Sequence, residues 1–279
     1  MTSDEATELG GAGTAKGKPP AFDVTMANQA RMYDYMLGGK DHFAADRDAV
    51  ETALKVYPEM AAAARSNRAF LGRAVRYLAG EAGIRQYLDI GTGIPTAGNT
   101  HEIAQAIAPE SRIVYVDYDP IVLAHARALL TSHEDGATWY IDADLRDTDT
   151  ILDQASQLLD FTRPVAVMLV LILHAIPDSD NPYAIVARLM DAVPSGSYLT
   201  ISLQGSELVD PDTQARLDDI SGRMVQQDFT FRSNEQVMRF FEGADLVEPG
   251  LVRVEEWRPA PGADNTSKSF LLGAVGRKR

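Results

Sequence analysis

The chain has 279 residues and no cysteine, and its Lys+Arg 26 against Asp+Glu 40 leave a formal net charge of −14 at pH 7. Without cysteine there is no disulfide framework, no Cys-based zinc or iron–sulfur site and no thiolate nucleophile. The acidic balance argues against binding to a phosphate backbone, which needs a basic footprint, and a hydrophobic content of 45% is enough for a sizeable core.

In chain order, residues 1–20 are rich in Gly, Ala, Thr, Lys and Pro without an aromatic and read as a disordered tail. Residues 21–85 read as a helical N-terminal cap. Ala27 to Leu37 can form a short helix stopped at Gly38-Gly39, and helices over Asp46–Val56 and Glu59–Gly80 are divided at Pro58. In the last of these, Leu71, Ala74, Val75 and Leu78 repeat at i, i+3, i+4, i+7 and make a core stripe. Arg65, Arg68, Arg73 and Arg76 fall off that stripe and read as a solvated face. These first 85 residues carry equal numbers of acidic and basic side chains, so the whole −14 lies beyond them.

From residue 86 the rhythm is strand–helix alternation. Strands are expected at Gln86–Ile90, Arg112–Val116, Thr138–Ile141, Val165–Leu173 and Tyr198–Leu203. Helices are expected at Thr96–Ala108, Pro120–Leu130, Thr148–Leu159, Ala184–Val193 and Asn234–Phe241. Repeated βαβ units imply a parallel sheet with helices on both faces. Leu246–Val254 and Ser269–Val275 are two strands with no helix between them, so they should pair antiparallel at one sheet edge. The longest apolar run, Val165 to Ile176, is too short for a bilayer, which needs roughly 20 residues. No signal peptide is recognisable. The chain reads as soluble and cytoplasmic.

The first strand runs into Leu88-Asp89-Ile90-Gly91-Thr92-Gly93. A Gly-x-Gly turn between strand and helix lets backbone approach a ligand closely and aims N–H groups at it. Alone it is a weak signal, because glycine there can serve turn geometry only. Asp89 precedes the turn, the second strand ends in Asp117, and the third is followed by Asp142-Ala143-Asp144-Leu145. Acids at three successive strand ends line the sheet edge where open α/β folds bind ligands, although Asp at a strand end can also simply cap a helix. A dinucleotide fingerprint needs a third glycine where Thr96 stands, and Asp89 would repel a pyrophosphate. A nucleoside with a cationic, phosphate-free arm fits instead, and S-adenosylmethionine is such a molecule.

At these residues the chain resembles the actinobacterial S-adenosylmethionine-dependent methyltransferases long grouped as a domain of unknown function. The resemblance rests on Arg31-Met32-Tyr33-Asp34-Tyr35-Met36-Leu37-Gly38-Gly39-Lys40-Asp41, on Leu88 to Thr96, on Val114 to Pro120, on Asp142 to Asp147 and on Leu246 to Leu251. It implies a Rossmann-like class I methyltransferase fold: a seven-stranded, mostly parallel sheet with an antiparallel last strand, residues 86–279 forming the cofactor domain. It further implies that Asp89, Gly91 and Gly93 line the methionine part of the cofactor. Asp117, with Tyr118 beside it, would lie at the ribose, and Asp144 and Leu145 at the adenine. Pro95 departs from the broader class pattern, which often has glycine there.

Methyl transfer needs alignment above all, and a general base only where the acceptor must lose a proton. His174, at the end of the fourth strand, is the first catalytic candidate because imidazole titrates near neutrality. It can equally be a histidine that only hydrogen-bonds near the cofactor. Tyr33 is the second candidate, and ordinary helix packing accounts for it as well. Arg31 or Lys40 could hold the cofactor carboxylate. Asp178 and Asp180 read as caps of the next helix, and no metal-ligand spacing is visible. The substrate class expected is a small molecule, with no nucleic acid or membrane partner. Two alternatives stay open: a non-catalytic binder of S-adenosylmethionine or S-adenosylhomocysteine, and a nucleotide-dependent oxidoreductase.

Overall fold

The structure is a computed structural model that describes residues 23–129, 131–227, 229–262 and 268–279, so the tail expected at 1–20 lies outside the described residues. Five strands, β1 (Gln86–Ile90), β2 (Arg112–Asp117), β3 (Ala137–Asp142), β4 (Ala166–Val170) and β5 (Tyr198–Gln204), are parallel in the order β3-β2-β1-β4-β5. The winding direction reverses between β1 and β4, and such a switch point opens a crevice at the strand C-termini. The last strand, β8 (Leu271–Lys278), runs antiparallel to β5. The strand expected over Leu246–Val254 is two short pieces, β6 (Ala244–Leu246) and β7 (Val252–Arg253), both paired antiparallel with β8. The reversed strand therefore lies inside the sheet, between β5 and β6, rather than at its rim.

Side chains alternate along the strands, so each sheet face feeds its own core. Leu88, Ile90, Val114, Val116, Val167 and Leu169 pack against α6 (Thr148–Ala155), α7 (Pro182–Asp191) and α9 (Asn234–Arg239). On the other face Tyr87, Ile113, Tyr115 and Met168 meet α3 (Met60–Gly80) through Phe70, Leu71, Val75 and Leu78, with α4 (Thr100–Ile107) adding Ala104. The stripe read from Leu71 onward is thus the contact between α3 and the sheet. α5 (Pro120–Leu129) follows β2.

A third, small cluster covers the strand ends. It joins Met32 of α1 (Gln29–Met36), Ala49 and Val50 of α2 (Ala44–Leu54), and Val225 just after α8 (Pro211–Met224). α8 has no counterpart in the elements expected from sequence. Its start is a local device: Asp210 accepts from the Thr213 N–H and Pro211 occupies the first turn, where a missing N–H costs nothing. Among the described residues no helix is long and apolar enough to cross a membrane.

Candidate active site

The loop after β1 is built from two glycines in the left-handed region, Gly91 (φ 75°) and Gly93 (φ 65°). A Cβ on Gly91 would lie 2.6 Å from Ile172, so only glycine lets this turn pass the end of β4. Residues 91–98 stay in the loop, and α4 starts at Thr100 rather than Thr96. Asn99 and Glu102 form a capping box that fixes this start. Thr100 Oγ1 donates to Asp89 at 2.6 Å, and the Arg68 Nη2 donates to Asn99 Oδ1 at 2.8 Å. The loop is thereby tied to both its strand and α3.

Asp117 closes the second strand. Its carboxylate accepts from the Gly93 N–H at 2.9 Å and from the Asp119 N–H at 3.0 Å. Each oxygen keeps a further lone pair for a ligand. Burial pushes both Asp89 and Asp117 up to about 6. Hydrogen bonds, from Thr100 to Asp89 and from backbone N–H groups to Asp117, partly offset this.

Around these groups lies a cavity enclosing ≈ 990 Å³ of empty space, counted to its mouth. It receives Asp89, Gly91, Gly93, Asp117 and Tyr118, the residues expected for the cofactor's methionine and ribose ends. Asp144 and Leu145 line a smaller hollow of ≈ 360 Å³ that shares Gly91, Asp117, Tyr118 and Gln227 with the first. Asp144 is itself paired with Arg146 at 3.0 Å. Tyr118 and Gln227, whose side chains hydrogen-bond, stand where the two spaces meet.

Five expectations change. Arg31 does not line the cavity; its guanidinium is buried against Asp46, with Nε 3.2 Å from the carboxylate, and joins α1 to α2. Lys40 is exposed and also lies outside the cavity lining. Tyr33 lines the cavity, but its hydroxyl donates to the Ala64 carbonyl at 3.0 Å and accepts from Asn67 Nδ2 at 3.1 Å. Burial holds its pKa above the ordinary tyrosine value, so it is a bound wall residue and a poor proton carrier. His174 is 2% exposed, and burial, with Arg232 nearby, lowers its pKa to about 3, which makes it a weak base. Nor do the acids beyond it cap α7. Asp178 pairs with Arg232 and Asp180 with Arg146, while Asn181 is the cap.

Arg68 is the residue the sequence reading misplaced. It lines the cavity, and its buried Nε has no hydrogen-bond partner among the described residues. Its position was legible, because 68 extends the stripe backward from Leu71 at i−3. Of its three companions, Arg65 and Arg76 are exposed, and Arg73 donates to the Trp257 carbonyl at 2.7 Å. Gln29 and Asn67 also line the cavity and belong to no motif.

The site can therefore be tested against S-adenosylmethionine group by group. The orphaned Arg68 Nε is a donor for a carboxylate, Asp89 an acceptor for an ammonium, and Asp117 an acceptor for a ribose diol. Arg68 is the lone Lys or Arg among the described residues lining the main cavity, too little for a pyrophosphate. The residues fit. A strand-end cleft of this kind, on a switched sheet with a reversed strand inserted beside β5, matches the class I methyltransferase fold that the resemblance implied.

Comparison with known proteins agrees. The S-adenosyl methyltransferase family model matches residues 15–279, so the chain belongs to that family: it is an S-adenosylmethionine-dependent methyltransferase. A crystal structure of a DUF574-family protein from Streptomyces avermitilis is 44% identical, covers 92% of this chain and 99% of its own, and has a TM-score of 0.88. A candidate methyltransferase from Thermobifida fusca is 39% identical over 95% of this chain and 100% of its own, with a TM-score of 0.83. No curated protein matches the chain.

Proposed function

We propose that this methyltransferase is a cytoplasmic enzyme acting on a small molecule, with the strand-end cavity holding the cofactor and the cap side admitting the acceptor. The observation that carries the reading is the set of buried, differently charged groups around one cavity: Asp89, Asp117 and Arg68. In this reading Arg68 takes the cofactor carboxylate, Asp89 the ammonium, Asp117 the ribose hydroxyls, and the hollow at Asp144 and Leu145 the adenine. S-adenosylmethionine held there would supply an electrophilic methyl group to the acceptor. The protein's contribution is orientation and exclusion of water. Gly91 and Gly93 fix the loop, and Tyr33, bound at both ends of its hydroxyl, keeps the wall rigid. Residues 86–279 supply the cleft, and residues 21–85, with α8, supply the cover and Arg68. The net charge of −14 supports a small molecule over a nucleic acid.

Titration with S-adenosylhomocysteine across pH tests this. Its ammonium needs Asp89 ionised and its ribose hydroxyls need Asp117 as an ionised acceptor, and both carboxyls are raised to about 6. Binding should be strongest and level above pH 7. Below 6 these groups must first lose a proton, so affinity should fall by about tenfold per group for each further pH unit. Absent binding, or binding that tightens as pH falls, would sink the reading.

A further inference from the structure

A second cavity, enclosing ≈ 740 Å³ of empty space to its mouth, lies behind the first, between α1, α3 and α8. Gln29, Tyr33 and Leu171 line both cavities, so these three side chains form the wall they share. The second cavity's walls are Met32, Met36 and Met60 with Phe229, Phe231 and Phe270, among aliphatic side chains. No Asp, Glu, Lys or Arg belongs to the described lining. A charged ligand would lose its hydration there without a counter-ion, which is strongly unfavourable. Methionine and phenylalanine walls suit a flat aromatic body and adapt to its outline.

Two buried polar atoms in this lining lack any partner among the described residues: His174 Nδ1 and Gln204 Oε1. The His174 tautomer follows from Gln29. Gln29 Nε2 donates to the Leu171 carbonyl at 3.1 Å and lies 2.6 Å from His174 Nε2. Because the Leu171 carbonyl only accepts, the amide nitrogen faces it, and that same nitrogen also donates to His174 Nε2. His174 Nε2 is then the acceptor, and Nδ1 carries the proton. Two residues of this lining thus carry one unused donor and one unused acceptor. A ligand hydroxyl is complementary to both, as an acceptor for Nδ1–H and a donor for Oε1. The junction with the first cavity is itself strained: Leu171, a non-glycine residue, sits at φ 59°. Its carbonyl is the one that orients Gln29.

We propose that this chamber is the methyl-acceptor site and takes an uncharged, planar aromatic compound anchored by a hydroxyl to His174 and Gln204. The proposal rests on the strand-end cavity holding the cofactor. It makes His174 a hydrogen-bond donor that positions the acceptor, not a base.

The test is calorimetry on the full chain saturated with S-adenosylhomocysteine, using 2-naphthol, naphthalene, 2-naphthoate and 2-(aminomethyl)naphthalene as probes. The expected order has 2-naphthol binding about tenfold or more tighter than either charged congener and tighter than naphthalene. Gln204→Leu should weaken 2-naphthol by about tenfold while leaving naphthalene unchanged or tighter. Ala63→Trp, which fills the chamber from α3, should abolish 2-naphthol binding with S-adenosylhomocysteine still bound. If that variant does not fold, Leu217→Trp on α8 makes the same test from the opposite wall. Charged congeners that bind as well as 2-naphthol, or 2-naphthol binding that survives the filled chamber, would overturn the proposal. So would failure of 2-naphthol to bind protein that still takes up S-adenosylhomocysteine. Failure of S-adenosylhomocysteine itself to bind the unaltered chain overturns the cofactor assignment, and the chamber's role with it.

Discussion

Asp117→Ala is expected to weaken S-adenosylhomocysteine binding by at least about 100-fold, the effect of removing two charge-assisted hydrogen bonds of about 1.5–3 kcal/mol each. The loss has two sources. The ribose loses its proposed acceptor, and the Gly93 and Asp119 N–H groups lose the carboxylate that now receives them. The second loss loosens the glycine turn, so Asp117→Asn should recover part of the binding by keeping one oxygen. Calorimetry on both variants at pH 7.5 checks this. An alanine variant that binds within about threefold of the parent would show that the ribose is held elsewhere.

Arg31→Ala should act on stability instead. The Arg31 side chain is 1% exposed and that of Asp46 0%. Its Nε lies 3.2 Å from the carboxylate, and its Nη2 also donates to the Met26 carbonyl at 3.1 Å. Asp46 in turn accepts from the Asn28 and Phe43 N–H groups, at 2.8 and 2.7 Å, and so sets the start of α2. Deleting one member of a buried pair leaves the other charge uncompensated, at a cost of about 3–5 kcal/mol. For a chain of this size that is a drop in Tm of roughly 10 °C, readable by calorimetric melting of the ligand-free protein. Were Arg31 a cofactor ligand, the Tm would move little and S-adenosylhomocysteine affinity would fall sharply. The two outcomes separate an architectural role for the Arg31–Asp41 motif from a binding one.

The proposed cofactor half of the cleft was readable in the sequence because its parts sit in or just beyond the strand ends. Asp89, Gly91, Gly93, Asp117, Asp144 and Leu145 are each fixed by where a short apolar run stops, and apolar runs are what sequence displays best. The proposed acceptor chamber was not, because its walls come from α1, α2, α3, α8, β5, β8 and the loops beyond β4 and α8, with no shared motif. α8 itself hides well: Leu217, Ile220 and Ser221 are its buried residues, too thin a stripe to stand out. Arg68 was misread by following its stripe in one direction only. The late start of α4 could have been read from Asn99-x-x-Glu102, a capping-box spacing. The left-handed Leu171 could not, since nothing in a leucine announces positive φ. His174 shows the limit of residue type as a guide: β4 stops at Val170, so His174 lies beyond the strand in a short 3-10 turn (Leu173–Ala175), and burial beside Arg232 removes the basicity that made it attractive.

In the proposed arrangement, cofactor and acceptor occupy two cavities meeting at the Gln29–Tyr33–Leu171 wall. A crystal structure of the S-adenosylhomocysteine complex tests it most directly. The ribose hydroxyls should lie on Asp117, the amino-acid carboxylate on Arg68, and the sulfur should face that shared wall. A sulfur turned toward the Asp144 hollow, or a ligand seated away from Asp117, would contradict it.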